Sequence, residues 1–376
     1  MKKAIFVFLC LANCLFSCQN SKIHIAKTEK KPVVAPKENP VYSIFLVGDA
    51  GKAQADEPTL QVLKEKLEKS TKNSAVVFLG DNIYPSGLPD SLHPNRKEAE
   101  TYLVRQLQTV AGFAGMPFFI AGNHDWNMSL KGGMAAVLRQ EKFVEQYLNR
   151  GNTFLPDSAC PDAKEILLAD SLVLIALDTE WWFHKHAKPQ GNASHCSSKN
   201  AQEFLENVQK MVERNKGKKI IVVAHHPIFS NSSYFTWKSH LFPLTDFNTK
   251  WWFPLPVLGS LYVGYRKLGF SRHDLMNKNA KLLRKGLLKA FGNTPLIYAA
   301  GHDHNLQLHQ KGKQYFVVSG SGSKLRAVPK KHKALFVANL KGFAVLRFYK
   351  NSAPLIEYID EKGKLLFSKK LFELTP

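Results

Sequence analysis

From residue 42 onward the chain alternates short apolar runs with longer stretches of helical periodicity, and this alternation is what most limits the folds open to it. The runs are Ser43–Val47, Ala75–Leu79, Met116–Ala121, Ser171–Leu177, Lys219–Ala224 and Pro295–Ala300. They are short and rich in Val, Ile, Leu and Phe, so they read as buried strands. Thr59–Lys69, Lys97–Val110, Met134–Leu148 and Ala201–Asn215 read as helices between them. Strands alternating with helices predict an α/β sandwich. After His304 the spacing tightens to Gln314–Ser319, Ala334–Asn339, Gly342–Phe348 and Leu355–Ile359. These predict a terminal antiparallel meander within 310–376 that completes a second sheet. One domain over 42–376 accommodates all of it.

Residues 237–272 break the pattern. They include Trp251-Trp252-Phe253-Pro254-Leu255-Pro256 and an apolar, Gly-containing stretch to Phe270. Pro and Gly interrupt it too often for a spanning helix. A cover over the substrate, a membrane-touching patch and a loop packed on the core all fit.

At the other end, Lys2 and Lys3 precede an apolar run from Ala4 to Leu11, and small and apolar residues follow to Leu15-Phe16-Ser17-Cys18. A basic start and a short apolar core describe a secretory signal rather than a membrane span. The ending resembles the lipobox of bacterial lipoproteins. That resemblance implies a signal over residues 1–18 and a lipid on Cys18, with a membrane as partner; Gln19-Asn20-Ser21-Lys22 carries no acidic cluster, which favours a periplasm-facing anchor over the cell surface. Ordinary secretion with Cys18 incidental is the alternative. Residues 19–41 are rich in Lys, Asn, Ser and Pro without apolar periodicity, and predict a flexible polar tether. Of five cysteines only Cys160 and Cys196 fall in the body; in an oxidising compartment such a pair can form a disulfide.

Charge narrows the ligands. With 52 Lys+Arg against 30 Asp+Glu the formal net charge is +22, a field that favours anionic ligands. No recognition helix or base-stacking platform accompanies it, and export argues against specific nucleic acid.

Chemistry collects where the strands end. The first runs into Gly48-Asp49-Ala50-Gly51, the second into Gly80-Asp81-Asn82-Ile83-Tyr84, and the third into Gly122-Asn123-His124-Asp125. A later one ends at His225-His226, and the last at Gly301-His302-Asp303-His304. In open α/β sheets ligands bind beyond the carboxyl ends of the strands. Five ends therefore bring carboxylates, an amide, imidazoles and a phenol to one edge. Such mixed O and N donors suit Zn, Mn or Fe rather than a thiolate zinc site.

Gly-Asp-x-Gly, Gly-Asp-x-x-Tyr, Gly-Asn-His-Asp, Val-x-x-His and Gly-His-x-His together resemble the calcineurin-like metallophosphoesterases, in particular the purple acid phosphatase branch. Most metallophosphoesterases carry a histidine where Gly51 stands; that branch instead supplies a tyrosine where Tyr84 stands. The resemblance implies a four-layer α-β-β-α sandwich with two mixed sheets. Asp49, Tyr84 and His304 would hold Fe(III), and Asn123, His225 and His302 a divalent ion (Fe, Zn or Mn). Asp81 would bridge the two ions. It further implies hydrolysis of phosphate monoesters by hydroxide generated at the metal pair. His124 would contact the phosphoryl group or protonate the leaving oxygen, with Asp125 orienting it.

His226 could face the substrate or cap its strand. Asp178 could support the site or form a turn, and Trp181-Trp182 could floor the pocket or pack in the core. His184, His186 and His195 are expected in solvent. A phosphodiesterase or nucleotidase using the same centre is the nearest alternative. A surface lipoprotein that keeps the fold without activity is the more distant one.

Overall fold

The computed structural model describes residues 23–30, 33–231, 256–326, 328 and 333–372. The leader with Cys18, and the cluster from Trp251 to Pro254, lie outside the described residues. Strands of the first half are β1 (Ile23–Ile25), β2 (Tyr42–Val47), β3 (Ser74–Phe78), β4 (Met116–Ile120), β5 (Phe154–Leu155), β6 (Lys164–Ala169) and β7 (Leu172–Ala176). Those of the second half are β8 (Lys219–Val223), β9 (Leu296–Ala300), β10 (Leu306–Lys311), β11 (Gln314–Ser319), β12 (Phe336–Ala338), β13 (Gly342–Phe348), β14 (Leu355–Asp360) and β15 (Leu365–Lys370).

They form two mixed sheets, ordered β1-β12-β10-β11-β9-β8-β7-β6 and β15-β14-β13-β2-β3-β4-β5. Alternate residues of each central strand face opposite layers, as the period of two requires. Ile44, Leu46, Val77 and Ile120 of one sheet meet Leu174, Val223, Ile297 and Val317 of the other in the core between the sheets. Phe45, Val76 and Phe119 instead meet Leu63, Leu103 and Val137 of the helices Pro58–Glu68, Arg96–Thr109 and Gly133–Leu148. On the far side Val173 and Val222 pack on Val208 and Leu287, from Ala201–Arg214 and Lys278–Phe291. The expected four-layer α-β-β-α sandwich is the fold observed.

The departures have local causes. Ile23–Ile25 pairs antiparallel with β12, its isoleucines packing on the inter-sheet core, and Lys369 Nζ reaches Glu29 Oε2 at 2.7 Å. The stretch read as a free tether is therefore fixed to the body here, because two alternating isoleucines suffice for an edge strand. β10 escapes a hydrophobicity reading because Gln307 and His309 are buried in it, bonded to each other at 2.9 Å. Part of 237–272 is the helix Pro256–Lys267, which exposes Leu258 and Leu261. No helix among the described residues is long and apolar enough to cross a membrane.

Cys160 and Cys196 form a disulfide with Cα atoms 5.6 Å apart, joining positions 36 residues apart. Closing a loop of that length removes about 4 kcal/mol of chain entropy from the unfolded state. The Cys160→Ser/Cys196→Ser variant is expected to lose about 2–4 kcal/mol of stability in denaturant titration, and the native protein to show the same loss under reductant.

Candidate metal centre

β2, β3 and β4 run parallel in one sheet, and β8 and β9 run parallel in the other. Their carboxyl ends meet at one edge. Contact is so close there that a Cβ on Gly48 would lie 2.9 Å from Gly301 Cα. The chain turns sharply after each strand, and Asp49, Asp81 and His302 take positive φ of 59°, 55° and 67°. Left-handed backbone at non-glycine residues costs roughly 1–3 kcal/mol each and collects at functional sites.

All seven expected donors converge. Tyr84 Oη lies 2.8 Å from Asp49 Oδ1, 2.9 Å from Asp81 Oδ2 and 3.2 Å from His304 Nε2. His304 Nε2 is 3.2 Å from Asp49 Oδ1. In a second group, Asn123 Oδ1 is 3.1 Å from His225 Nε2 and 3.0 Å from His302 Nδ1. The two imidazole nitrogens stand 3.3 Å apart, and His225 Nε2 is 3.3 Å from Asp81 Oδ1. Around an ion bound at about 2.1 Å, neighbouring ligand atoms stand roughly 3.0–3.4 Å apart. Both groups have that spacing, and Asp81 gives one oxygen to each.

Electrostatics fit two cations as well. Burial, then the charge of Asp81, pushes Asp49 up to about 8. Burial acts the same way on Asp81, but His225, His124 and His302 outweigh it and hold that carboxyl well below its ordinary range. Burial opposes charge on His225 too, yet Asp81 and Asp49 raise it to about 10. Burial and both carboxylates drive the Tyr84 hydroxyl well above 10. Buried charges this close require compensating partners. His225 Nδ1 faces the Leu79 carbonyl at 2.8 Å, which leaves Nε2 for a metal, as a hydrogen bond on the other ring nitrogen does at metal sites.

Three expected supporting residues stand differently. His124 lies over the Tyr84 ring with its side chain 17% exposed, its Nε2 3.8 Å from Asp81 Oδ2. Its Nδ1 meets the Pro85 carbonyl at 2.5 Å, so Pro85 orients it and Asp125 does not. The Asp125 carboxylate instead accepts from the backbone amides of Gly122, Asn82 and Ile83, at 2.7, 3.0 and 3.2 Å. It ties the second strand-end turn to the third. His226 is buried, its Nδ1 2.9 Å from Thr179 Oγ1 and its Nε2 3.6 Å from Glu180 Oε2, so its polar atoms face Thr179 and Glu180.

Asp178 forms the turn after its strand, accepting from the Glu180 and Trp181 amides at 2.9 and 3.2 Å, and also accepts from Trp126 Nε1 at 2.7 Å. Trp181 packs in the core. His184 is buried against Trp126 rather than solvated, and burial lowers it to about 4. Sequence reasoning passed over Lys324, whose Nζ stands 3.9 Å over the Tyr84 ring, and also Glu180 and His273. Glu180 had a signal, following a strand-end Asp; His273 had none, because its neighbours come from distant loops.

The sequence profile of the calcineurin-like phosphoesterases matches residues 42–306. The chain belongs to that family. Solved structures similar to it include GAP50, the anchor in the inner membrane complex of Plasmodium, with 19% identity over 88% of each chain and a TM-score of 0.52. The purple acid phosphatase PPD1 of yellow lupin seeds is 16% identical over 90% of this chain and 55% of its own, with a TM-score of 0.54. The chain thus spans about half the lupin enzyme. At these identities the likeness concerns the fold alone. No curated protein matches. Family and geometry together make this calcineurin-like phosphoesterase a metal-dependent hydrolase with a candidate binuclear centre.

Removing the Asp125 carboxylate leaves three buried amides without an acceptor. Asp125→Ala is expected to cost at least about 3 kcal/mol in denaturant titration, while His124→Ala, which strands no buried amide, should unfold within about 1 kcal/mol of the native protein.

Proposed function

We propose that the chain is an exported phosphomonoesterase of the purple acid phosphatase kind, carried on a lipid at Cys18 and holding Fe(III) beside a divalent ion. The observation that carries the reading is the place of Tyr84, whose phenol stands among Asp49, Asp81 and His304 at 2.8–3.2 Å. A phenolate between two buried carboxylates is best stabilised by a highly charged hard cation, and Fe(III) is such an ion. Asn123, His225 and His302 offer softer neutral donors, suited to a divalent partner.

Bound at these donors, two ions supply an activated water and positive charge against the phosphoryl oxygens. The chain's own residues do the rest. Asp81 fixes the separation of the two donor groups. His124, held by the Pro85 carbonyl, directs Nε2 toward the same edge to bind a phosphoryl oxygen or hand a proton to the leaving oxygen. Lys324 adds a cation beside the carboxylates. The basic balance of the chain favours anionic esters, the leader over residues 1–18 supports export, and the lack of an acidic cluster just after Cys18 supports a periplasm-facing anchor. The Plasmodium relative is described as an anchor, but a protein kept only for its fold would not need both donor groups complete, so hydrolysis is the reading preferred.

Three measurements test this. Purified protein is expected to show a visible tyrosinate-to-iron band that vanishes in Tyr84→Phe; a colourless, fully active Zn or Mn enzyme would overturn the iron assignment and leave the hydrolysis standing. Turnover of 4-nitrophenyl phosphate is expected to exceed that of bis(4-nitrophenyl) phosphate, and the reverse order would make the diesterase reading the better one. His124→Ala should lower kcat by about 10²–10⁴-fold on an alkyl phosphate, and less on the nitrophenyl ester, whose leaving group needs little protonation.

A further inference from the structure

Beyond the two donor groups, a third set of ligand atoms lies against the same wall. Glu180, in the single helical turn Glu180–Phe183 after β7, sends Oε2 to within 3.0 Å of His273 Nε2 and 3.6 Å of His226 Nε2. The three ligand atoms lie within 4.8 Å of one another. Ser129 Oγ bonds Glu180 Oε1 and stands 3.0 Å from His273 Nε2.

Two features distinguish this cluster from an ordinary ion pair. Glu180 is fully buried and His226 is 5% exposed, yet His226 Nε2 has no hydrogen-bond partner and Glu180 Oε2 has no well-aligned one, its nearest polar neighbour being His273 Nε2 at 3.0 Å. Orphaned atoms of this kind are costly in a folded interior. The two atoms stand 3.6 Å apart. His226 Nδ1 is meanwhile engaged by Thr179 Oγ1, the outer hydrogen bond that turns the opposite nitrogen of an imidazole toward a metal. A cavity of roughly 30 Å³, lined in part by Phe183, His226, His273 and His302, opens beside them, enough for about one water.

We propose that Glu180, His226 and His273 bind a third divalent cation of the zinc class. Two imidazoles and one carboxylate form a zinc donor set that leaves a fourth position open for water or substrate. Separations of 3.0 and 3.6 Å suit ligands roughly 2.0–2.2 Å from such an ion. The cation relieves the orphaned atoms and balances the buried carboxylate. The site adjoins the binuclear centre, since the His226 and His302 rings are 4.7 Å apart. A third positive charge there would bind an oxygen of the substrate that the first two ions do not reach.

The test is stoichiometry. Metal-free full-length protein is dialysed against buffered Zn(II), and bound zinc is counted by mass spectrometry. Three equivalents are expected for the native protein and two for Glu180→Gln and His273→Ala. In Asp81→Asn/His225→Ala, which lacks the bridging oxygen and one imidazole of the main centre, the zinc that remains should fall by one further equivalent on adding Glu180→Gln. Co(II) substitution provides a second readout, through a d–d band present in the native protein and weaker in His273→Ala. His273 stands nearer solvent than Glu180, so its variant serves if Glu180→Gln does not fold. Two equivalents in native and variant alike, or three in all of them, would overturn the third site. An active two-ion enzyme would leave the phosphatase reading intact, whereas three ions without hydrolysis would overturn that reading and keep the site.

Discussion

The arrangement depends on one buried carboxylate. Asp81 is fully enclosed, and its two oxygens belong to different donor groups, Oδ2 with Tyr84 and Oδ1 with His225. Burial alone would drive such a group to its neutral form. Three imidazoles reverse that and keep it ionised, while its neighbour Asp49 is pushed up to about 8. The protein without metal therefore divides protons unevenly across a small polar core. Positive charge at both donor groups removes the conflict, which is why the edge is better understood as two cation sites sharing a ligand than as a set of salt bridges.

Scaffolding makes that sharing possible. Donors on five strand ends must converge within about 3 Å of one another, and neither sheet could bring them together alone. Face-to-face packing does it, with β2, β3 and β4 supplying the carboxylates, phenol and amide, and β8 and β9 the imidazoles. The positive φ at Asp49, Asp81 and His302 is the local cost of turning side chains inward at once. Asp125 holds the geometry by joining the Asn82–Ile83 turn to Gly122. Its role is mechanical, though its place beside His124 in the chain suggests a chemical one.

What was legible in the sequence is what is encoded locally. Apolar runs mark β2, β3, β4, β8 and β9, and the polar residues just beyond them are the seven donors now found together. What was not legible depends on partners far away in the chain. β10 is hidden because Gln307 satisfies its buried amide on Ser230 and Asn305, so a strand looks polar. Ile23–Ile25 has no meaning until β12 offers it an edge. Asp125 and His226 could be placed at the site from sequence but not given their distant bonds, since those are to Asn82, Ile83 and Thr179. His273 is the extreme case, a lone histidine after an irregular segment whose importance exists only once Glu180 and Ser129 surround it.

The exchange of Gly51 for a histidine ligand can now be given a steric cause. A Cβ at Gly51 would lie 2.4–2.5 Å from backbone atoms of Asn82, Asp81 and Ile83, so no side chain fits there while the second strand-end turn keeps this path. That same path carries Tyr84 back over the first strand, where its amide donates to the Gly51 carbonyl at 3.1 Å. The bare glycine at 51 and the approach of Tyr84 are thus features of one backbone path. A turn that presses close on residue 51 excludes an imidazole and delivers a phenol in its place. The Lys324 ammonium over the ring then favours negative charge on that phenol, by the same attraction that binds a cation to an aromatic face. The donor atoms available at this position thus follow from how tightly two turns pack.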